Sequence, residues 1–326
     1  MQKIPDWDYR TGGLAAFAAD RHSEASAVMD AVLDGLGLAG TALRPFLPLG
    51  DRIAARHLAR IDDPYRDEIL ALPRLMGRPG AIAFSLSYEW GCTSRAFGEG
   101  GMPTLFRVLD WPFAGLGQRI EVVRLSGPGG DWITATWPGV VGVLHGAAPG
   151  RFAIALNQAP ERRTGLGRLV DWVSSKRRFL RQRGLPPAHL LRQVFEEAPD
   201  YPAARAMLTQ APVAAPVIFT LAGTDAEQTC TIERIEDRAI ETAAPTATNH
   251  FTSALGDGAW RPRGEDSAGR HQAALALDAP PPIDGLTPPI LNSLTRLALV
   301  MDAGGALSVA GYEGEKVVSG PGRFQV

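Results

Sequence analysis

Cys92 is followed at short range by Arg107 and Asp110, and these residue types together could carry nucleophilic chemistry. A cysteine reacts as its thiolate, so it needs a base or a positive charge close by. The preceding residue, Gly91, is small enough to permit a strained peptide whose carbonyl the thiol attacks. Hydrolysis would then leave Cys92 as a new N-terminus, with an α-amine of ordinary pKa about 7.7–8.0 that can accept the thiol proton. The pattern predicts self-cleavage at Gly91-Cys92.

The same residues also permit a purely structural interpretation. A lone cysteine beside a strand is more often a small hydrophobic residue than a nucleophile. Arg107 and Asp110 at a strand end usually form a surface ion pair, and Cys230, in the middle of a predicted strand, is expected in the core. Six histidines could supply a base elsewhere in the fold: His22, His57, His145, His189, His250 and His271. None lies in a local motif of the papain or caspase type.

Composition and charge narrow the class of protein. The formal net charge of −2 argues against a nucleic-acid partner, because phosphate binding needs a basic surface. Two cysteines far apart predict no disulfide framework and no CxxC metal site, and we expect no cofactor. The N-terminus is polar and no window of 18 uninterrupted apolar residues occurs, so we expect a cytoplasmic protein.

The elements that must position Cys92 change in type near residue 80. Apolar spacing predicts helices over 13–38, 51–61 and 65–76, the second opened by Asp51 as a cap. Short strands separated by turn residues follow, with Cys92 at the first turn. These strands are predicted at 81–88, 104–109, 119–125, 132–137, 140–144 and 152–156.

The second half of the chain repeats this order. Helices are predicted at 187–197 and 201–208, strands at 216–222, 229–235 and 239–242, a helix at 267–277, and a final hairpin at 294–301 and 307–312. Helices, strands, helices and strands in succession indicate an α+β layered domain rather than βαβ alternation.

A basic stretch at 162–183 is predicted as a surface helix or a mobile loop. Its C-terminal half holds a basic cluster of Lys176, Arg177, Arg178, Arg181 and Arg183. They form either a solvated face or a patch beside a substrate channel, which favours anionic head groups or contact with a membrane surface.

The sequence around Cys92 resembles the acid ceramidase and N-acylethanolamine acid amidase family of N-terminal-nucleophile (Ntn) hydrolases, in the choloylglycine hydrolase superfamily. The family has a strand ending in Tyr-Glu, then Cys-Thr-Ser, then Arg-Asn-x-Asp-aromatic. Here these are 84–89, Cys92-Thr93-Ser94 and Arg107-Val108-Leu109-Asp110-Trp111. Further blocks follow in family order at 138–157, 206–219, 227–234 and 248–251, with Arg263 fourteen positions after Asn249.

The resemblance implies an αββα four-layer sandwich, with residues 1–91 as an N-terminal helical segment released as the α-subunit and residues 92–326 as the catalytic β-subunit. It also implies roles at matching positions. Cys92 is the nucleophile and, once freed, supplies the base; Asp110 holds the amine or thiol, and Arg107 supports Asp110 and the substrate amide. Asn249 donates to the oxyanion, and Arg263 matches a later structural or site arginine. Supporting or substrate-binding positions are Glu89, Trp111, Asn157, Gln158 and His250.

Some positions depart from the family pattern. Asn157-Gln158-Ala159 stands where the family has Asn-Glu-Arg. Gln158 can form hydrogen bonds but cannot act as a base, so acid-activated processing through it is not expected. Val108 replaces the usual Asn. The dipeptide Asn249-His250 is also similar to the acyl-coenzyme A:6-aminopenicillanic acid acyltransferase branch.

The leading hypothesis is therefore an amidase that cleaves linear N-acyl amides of the N-acylethanolamine, ceramide or N-acyl amino acid type, with a lipid-like small molecule as its partner. Two alternatives remain: an acyltransferase that uses the same nucleophile, and an uncleaved, non-catalytic relative. The sequence does not fix the oligomeric state.

Overall fold

Two β-sheets form the centre of the molecule. The computed structural model describes residues 1–86 and 90–326. Its strands are β1 (Asp6–Asp8), β2 (Gly91–Phe97), β3 (Thr104–Asp110), β4 (Glu121–Gly127), β5 (Gly130–Thr136), β6 (His145–Ala148), β7 (Phe152–Gln158), β8 (Glu161–Arg162), β9 (Val217–Ala222), β10 (Thr229–Arg234), β11 (Ala239–Thr242), β12 (Thr246–Ala247), β13 (Trp260–Arg261), β14 (Thr295–Asp302), β15 (Ala306–Glu313) and β16 (Lys316–Gln325). The larger sheet has the order β1-β4-β5-β6-β7-β9-β10-β11 and the smaller one β12-β2-β3-β14-β15-β16, while β8 and β13 form a separate two-stranded ribbon.

Helices cover both outer faces of these sheets. They are α1 (Gly13–Asp20), α2 (His22–Gly35), α3 (Leu38–Leu43), α4 (Leu47–Leu58), α5 (Arg66–Leu75), α6 (Ala81–Ser85), α7 (Arg168–Arg181), α8 (Pro187–Glu197), α9 (Tyr201–Gln210) and α10 (Ser267–Leu275). Local chemistry sets several helix starts. Pro187 occupies the first turn of α8, where a missing N–H costs nothing, and the Asp200 carboxylate accepts from the Ala203 N–H at the start of α9 (2.8 Å).

The layers follow from which elements pack together. Helices α8 and α9 lie on the outer face of the eight-stranded sheet, and α10 lies on the six-stranded sheet. The two sheets face each other through β2, β3 and β14 on one side and β6, β7 and β9 on the other. All six residues of β9 are buried, as expected for a strand covered on both faces. The αββα sandwich is confirmed.

The first 86 residues pack against this sandwich as a mainly helical segment. A separate apolar cluster joins α4, α5 and α6 through residues such as Leu58, Leu72 and Ile82. The segment is not purely helical, however, because β1 adds to the eight-stranded sheet by parallel pairing with β4. The division of the chain at residue 91 stays a prediction.

The predicted strand at 81–88 is wrong where the structure describes it, because Ala81–Ser85 forms helix α6. The cause is a contact from a distant residue. The buried Asp51 carboxylate accepts from the backbone N–H groups of Gly80 (2.6 Å) and Ala83 (3.0 Å), which caps the helix start. Asp51 therefore does not open its own helix as predicted, since α4 begins at Leu47.

Two further predictions need correction. Residues 140–144 form no regular strand, because the Val143 N–H donates to the Ala188 carbonyl at the start of α8 (2.9 Å) instead of to a strand. Cys92 lies inside β2, not at a turn. The predicted last hairpin is confirmed as β14 and β15, and β16 adds to it by pairing with β15. The basic stretch contains helix α7.

Among the described residues, no single helix is long and apolar enough to cross a membrane. One pair, His22–Gly35 with Leu38–Leu58, meets the criteria of length and composition only when its two parts, bent by 118°, are joined.

Candidate active site

Cys92 is fully buried at the second position of β2, where one side of the strand ladder ends. The short strand β12 pairs only with Ser94 and Arg95, so it does not reach Cys92. Side chains take the place of the missing backbone partner. The Cys92 N–H donates to Asn249 Oδ1 (2.7 Å), and its carbonyl accepts from Arg270 Nη1. Both backbone groups of Cys92 are therefore held by side chains.

Arg107 lies beside the thiol. It sits on β3, fully buried, with Nη2 3.1 Å from Cys92 Sγ. Its Nη1 donates to the Leu156 carbonyl and to Asn157 Oδ1 (3.3 Å), which fixes the plane of the guanidinium. Asn157 is held in turn by donating to the Ala247 carbonyl (3.0 Å). The interpretation of Arg107 as part of a surface ion pair is therefore wrong.

Burial and charge act against each other at the thiol. Burial raises the pKa of Cys92 above its ordinary value, while the positive charges of Arg107 and Arg270 act to lower it. Burial likewise lowers the pKa of Arg107, with the neighbouring thiol and Asp110 acting in the opposite direction. In the intact chain the thiol thus lies against a positive charge that opposes the effect of burial on its pKa.

Asp110 is also fully buried, but it faces a different set of partners. Its Oδ1 accepts from the Thr295 hydroxyl (3.0 Å), and its Oδ2 lies 3.6 Å from Arg270 Nη1. Burial raises the pKa of Asp110, and Arg270 acts to lower it. A Cβ atom at Gly91 would lie 3.3 Å from Asp110 Oδ2 and 3.2 Å from Gly264 Cα. The residue before Cys92 is small because two chain segments close on it.

Gln158 lies beside the predicted cleavage point. Its side-chain Oε1 accepts from the Trp90 N–H (2.8 Å), and its backbone carbonyl accepts from Asn249 Nδ2 (2.8 Å). The donor that Asn249 was expected to offer to an oxyanion is therefore directed at Gln158, and the oxyanion role of Asn249 stays a prediction. Trp111 packs edge-to-face against Trp90, with ring centroids 5.2 Å apart.

The remaining predicted positions lie further from the thiol or outside the described residues. His250 directs Nδ1 to the Ser267 hydroxyl (2.8 Å) and packs its ring against His271 (5.3 Å). Arg263 is tied to the site through its backbone, since its N–H donates to the Asn249 carbonyl (3.2 Å). Glu89 lies outside the residues that the structure describes.

Arg270 is the residue that sequence reasoning missed. It lies on α10, fully buried, and donates to the Cys92 carbonyl, to Thr93 Oγ1 (3.0 Å) and to Asn249 Oδ1 (3.0 Å). One guanidinium thus connects Cys92, its partner Asn249 and the Asp110 carboxylate. No local pattern marks it, because 178 positions of chain separate it from Cys92.

A cleft of about 940 Å³, including its open mouth, ends against the residues around Cys92. Trp90, Leu156 and Gln158 line it, and the Leu156 carbonyl is 3.9 Å from Cys92 Sγ. The apolar residues of its lining, here called the apolar wall, include Leu144, Phe179, Pro187, Ala215 and Val217. The charged residues of its lining, here called the charged wall, are Glu161, Arg162, Lys176, Arg178, Glu236 and Arg263. The described residues contain no group of three or more metal-binding side chains.

Comparison with known proteins now adds to this geometry. No family model matches the chain. Over 102 residues it is 30% identical to the acid ceramidase of Balaenoptera acutorostrata scammoni, a match that covers 31% of this chain and 24% of that protein. Over 107 residues it is 27% identical to human acid ceramidase, covering 33% and 26%. The resemblance to acid ceramidases is confirmed over about a third of the chain.

The chain thus spans about a quarter of the length of the acid ceramidases that it matches. Among solved structures it is similar to a Caenorhabditis elegans N-acylethanolamine-hydrolyzing acid amidase ortholog. That likeness has a TM-score of 0.47 and 19% identity, and it covers 65% of this chain and 93% of the other.

Proposed function

We propose that this chain is a self-processing N-terminal cysteine amidohydrolase that cleaves linear N-acyl amides. The observation that carries the proposal is the setting of Cys92. Its thiol contacts the buried Arg107 guanidinium (3.1 Å), while its backbone nitrogen is held by Asn249 (2.7 Å). The nitrogen that cleavage would turn into a catalytic amine is thus already fixed on the residue that carries the thiol. The similarity to acid ceramidases supports the same chemistry.

Processing begins with attack of Cys92 Sγ on the carbonyl carbon of Gly91. The Gly91–Cys92 C–N bond breaks, the thiol proton passes to the Cys92 nitrogen, and a thioester forms. Water hydrolyses this thioester, leaving a carboxylate on Gly91 and a free thiol and amine on Cys92. Gln158 supports this step by holding the Trp90 N–H (2.8 Å), which steadies the peptide before Gly91 without supplying a base.

Hydrolysis of the substrate then uses the same residues. The freed amine takes the thiol proton, Arg107 stabilises the thiolate, and the sulfur attacks the acyl carbonyl. The amine half leaves with a proton, and water activated by the Cys92 amine releases the acid. If Asn249 turns its Nδ2 from Gln158 to the oxyanion, that donor contributes about 2.7–4 kcal/mol, as in comparable acyl-transfer sites.

The cleft supplies a route for an apolar acyl chain. Cys92 is fully buried in the intact chain, and Trp90 and Leu86, on the N-terminal side of the predicted cut, line the cleft that ends beside it. Release of the chain end at Gly91 would allow these residues to move aside and would join the cleft to the sulfur. The apolar wall then holds the acyl group, while the charged wall faces the amine half.

We also propose peripheral contact with a membrane surface through α7. Leu169 and Trp172 on this helix are 74% and 44% exposed, and Lys176 and Arg181 stand on the same helix. Exposed apolar and basic residues on one helix are typical of binding to anionic bilayers. Co-sedimentation with vesicles that contain phosphatidylserine should exceed that with neutral phosphatidylcholine vesicles, and Leu169→Glu should abolish the difference. Equal sedimentation with both vesicle types contradicts this contact.

Intact-mass measurement and a substrate panel test the main proposal. The purified 34.8-kDa chain should convert to a C-terminal fragment that begins at Cys92, in step with the appearance of activity on N-acyl amides. Repeating the assay with an added acceptor amine separates hydrolysis from acyl transfer, because a transferase forms the new amide instead of the free acid. A chain that stays intact at every pH and cleaves no amide supports the non-catalytic alternative.

A further inference from the structure

The charged wall of the cleft carries more positive than negative side chains. Four cationic and two anionic residues line it: Arg162, Lys176, Arg178, Arg263, Glu161 and Glu236. This surplus is local, because the chain as a whole has a formal net charge of −2. A cleft that concentrates one sign of charge raises the local concentration of ligands of the opposite sign.

Both carboxylates of this wall are already shared between two arginines. Glu161 accepts from Arg261 (3.0 Å) and lies 3.8 Å from Arg263. Glu236 accepts from Arg162 (2.7 Å) and lies 4.0 Å from Arg178. Their side chains are only 11% and 9% exposed. A cationic ligand would have to displace these arginines, whereas an anionic ligand can add to them.

The charged wall is joined to the site by short connections. Glu161 follows Gln158 by three residues, and an extended chain of that length spans about 10 Å at most. The Arg263 N–H donates to the carbonyl of Asn249, whose side chain holds the Cys92 nitrogen. Charged groups connected to the site in this way suit a short amine half better than the far end of a long acyl chain.

We propose that the cleft selects N-acyl amides whose amine half carries an anionic group, with N-acyl amino acids as the substrate class. Arg263 and Arg178 bind the carboxylate of the amino acid, because the planar guanidinium donates two parallel N–H groups to a carboxylate. The acyl chain lies on the apolar wall. This selection rests on the proposed amidase function and adds the identity of the amine half to it.

A matched set of substrates isolates the anionic group. N-lauroylglycine, N-lauroylglycinamide and N-lauroylethanolamine share one acyl chain, and the first two differ only in the charge of a group of similar size. The expected result is a kcat/KM at least about tenfold higher for N-lauroylglycine, as for a site that forms charge-assisted hydrogen bonds. The preference should shrink as salt is raised from about 0.05 to 0.5 M, because the arginines are partly exposed.

Variants that remove one charge each test whether Arg263 and Arg178 cause the preference for an anionic amine half. Arg263→Gln and Arg178→Gln should each reduce the preference for glycine over glycinamide about fivefold or more, mainly through KM. Arg168→Gln removes the same charge from an exposed position of α7 outside the cleft lining and should leave the ratio unchanged. Arg178 is half-exposed, so its variant should fold even if Arg263→Gln does not.

The outcomes separate this inference from the function on which it rests. Equal or faster cleavage of the neutral amides overturns the anionic preference while leaving the amidase intact. A preference that survives both cleft variants overturns the assignment to the two arginines. Failure to cleave any of the three substrates, with no processed fragment, overturns the proposed function itself.

Discussion

The regions around the two cysteines differ in what surrounds a similarly buried thiol. Both residues lie in β-strands, and burial raises the pKa of both thiols, that of Cys230 to about 11. Cys230 accepts a hydrogen bond from the Tyr201 hydroxyl (3.3 Å) and pairs in register with Leu221 of β9. Cys92 instead contacts the Arg107 guanidinium, and side chains hold its backbone groups.

The two thiols thus differ in the charge beside them and not in burial. At Cys230 a phenol faces the sulfur, and Arg205, the cation that acts to lower the Cys230 pKa, is half-exposed on the surface. At Cys92 a fully buried cation touches the sulfur, where little solvent screens it. At Cys92 the neighbouring strand β12 has already ended, so the Asn249 side chain can bind the Cys92 nitrogen. These features, not exposure, distinguish the surroundings of Cys92 from those of Cys230.

Substitution of the two cysteines gives the largest expected contrast. Cys92→Ala should abolish processing and lower amide hydrolysis by at least about 10³-fold, because the nucleophile is gone. Cys230→Ala should process normally and keep kcat/KM within about twofold. Intact mass and initial rates on one N-acyl amide measure both effects. Normal processing of Cys92→Ala, or loss of activity in Cys230→Ala, breaks the comparison.

Removal of the cation beside each thiol gives the next largest effect. Arg107→Gln should lower kcat about 100-fold and shift alkylation of the processed Cys92 thiol by iodoacetamide to higher pH, because a thiolate without its cation is less stable. Arg107→Lys should recover part of the shift by restoring the charge. Arg205→Gln, which removes the exposed cation near Cys230, is the matched control and should change neither quantity.

An unchanged alkylation profile in Arg107→Gln would show that Arg107 acts only in packing. Urea unfolding of Arg107→Gln and Arg205→Gln distinguishes a loss of stability from a change in thiol reactivity. The loss of the hydrogen bonds to Leu156 and Asn157 should cost about 1–3 kcal/mol in Arg107→Gln.

The sequence predicted those elements around the two cysteines that depend on residues close together along the chain. The strands β3 and β9 and the helix α8 were predictable because apolar periodicity and turn residues are local signals. Cys92 lies on the strand next to Arg107 and Asp110 because β2 and β3 form a hairpin. Sequence reasoning placed Cys92 at a turn, and it took the roles of the three residues from the family resemblance.

Contacts between segments far apart in the chain could not be predicted from local sequence patterns. The strand-like residues of α6 become helical because Asp51 caps them from another helix. Arg270 reaches Cys92 from α10, and nothing within its own helix indicates that contact. Arg107 and Asp110 were expected to support each other, yet Arg107 binds the thiol while Arg270 and Thr295 lie at the Asp110 carboxylate. Tertiary packing decides such partners.

The buried carboxylate near Cys92 predicts that stability depends on pH from about 4 upward, whereas the raised pKa of the Cys230 thiol acts only at alkaline pH. Because burial raises the folded-state pKa of Asp110, the folded chain holds that proton more tightly than the unfolded chain. Its contribution to stability is fully present below the unfolded pKa of about 3.9 and is lost as pH rises through the folded pKa. Asp110→Asn should remove this loss, so the stability of wild type relative to the variant should fall as pH rises from about 4.

Urea unfolding across this pH range measures the Asp110 effect, with Glu241→Gln as the control. Glu241 forms a partly exposed ion pair with Arg205 (2.6 Å) near Cys230, and such pairs contribute about 0–1 kcal/mol. Parallel pH curves for wild type and Asp110→Asn would show that the Asp110 pKa is not raised on folding. Hydrolysis should also fall in Asp110→Asn, and it should be unaffected in Glu241→Gln.

The smallest expected effect concerns the hydroxyl that faces Cys230. Tyr201→Phe removes one O–H···S hydrogen bond without leaving a cavity, so the free energy of unfolding should change by no more than about 1 kcal/mol. The pKa of Cys230 should rise further above about 11, because this hydrogen bond acts to lower it. Processing and kcat/KM should stay at the wild-type level, since neither side chain reaches the cleft lining. A clear loss of hydrolysis in Tyr201→Phe, with stability preserved, would give the Cys230 region a role in catalysis and remove the contrast between the two thiols.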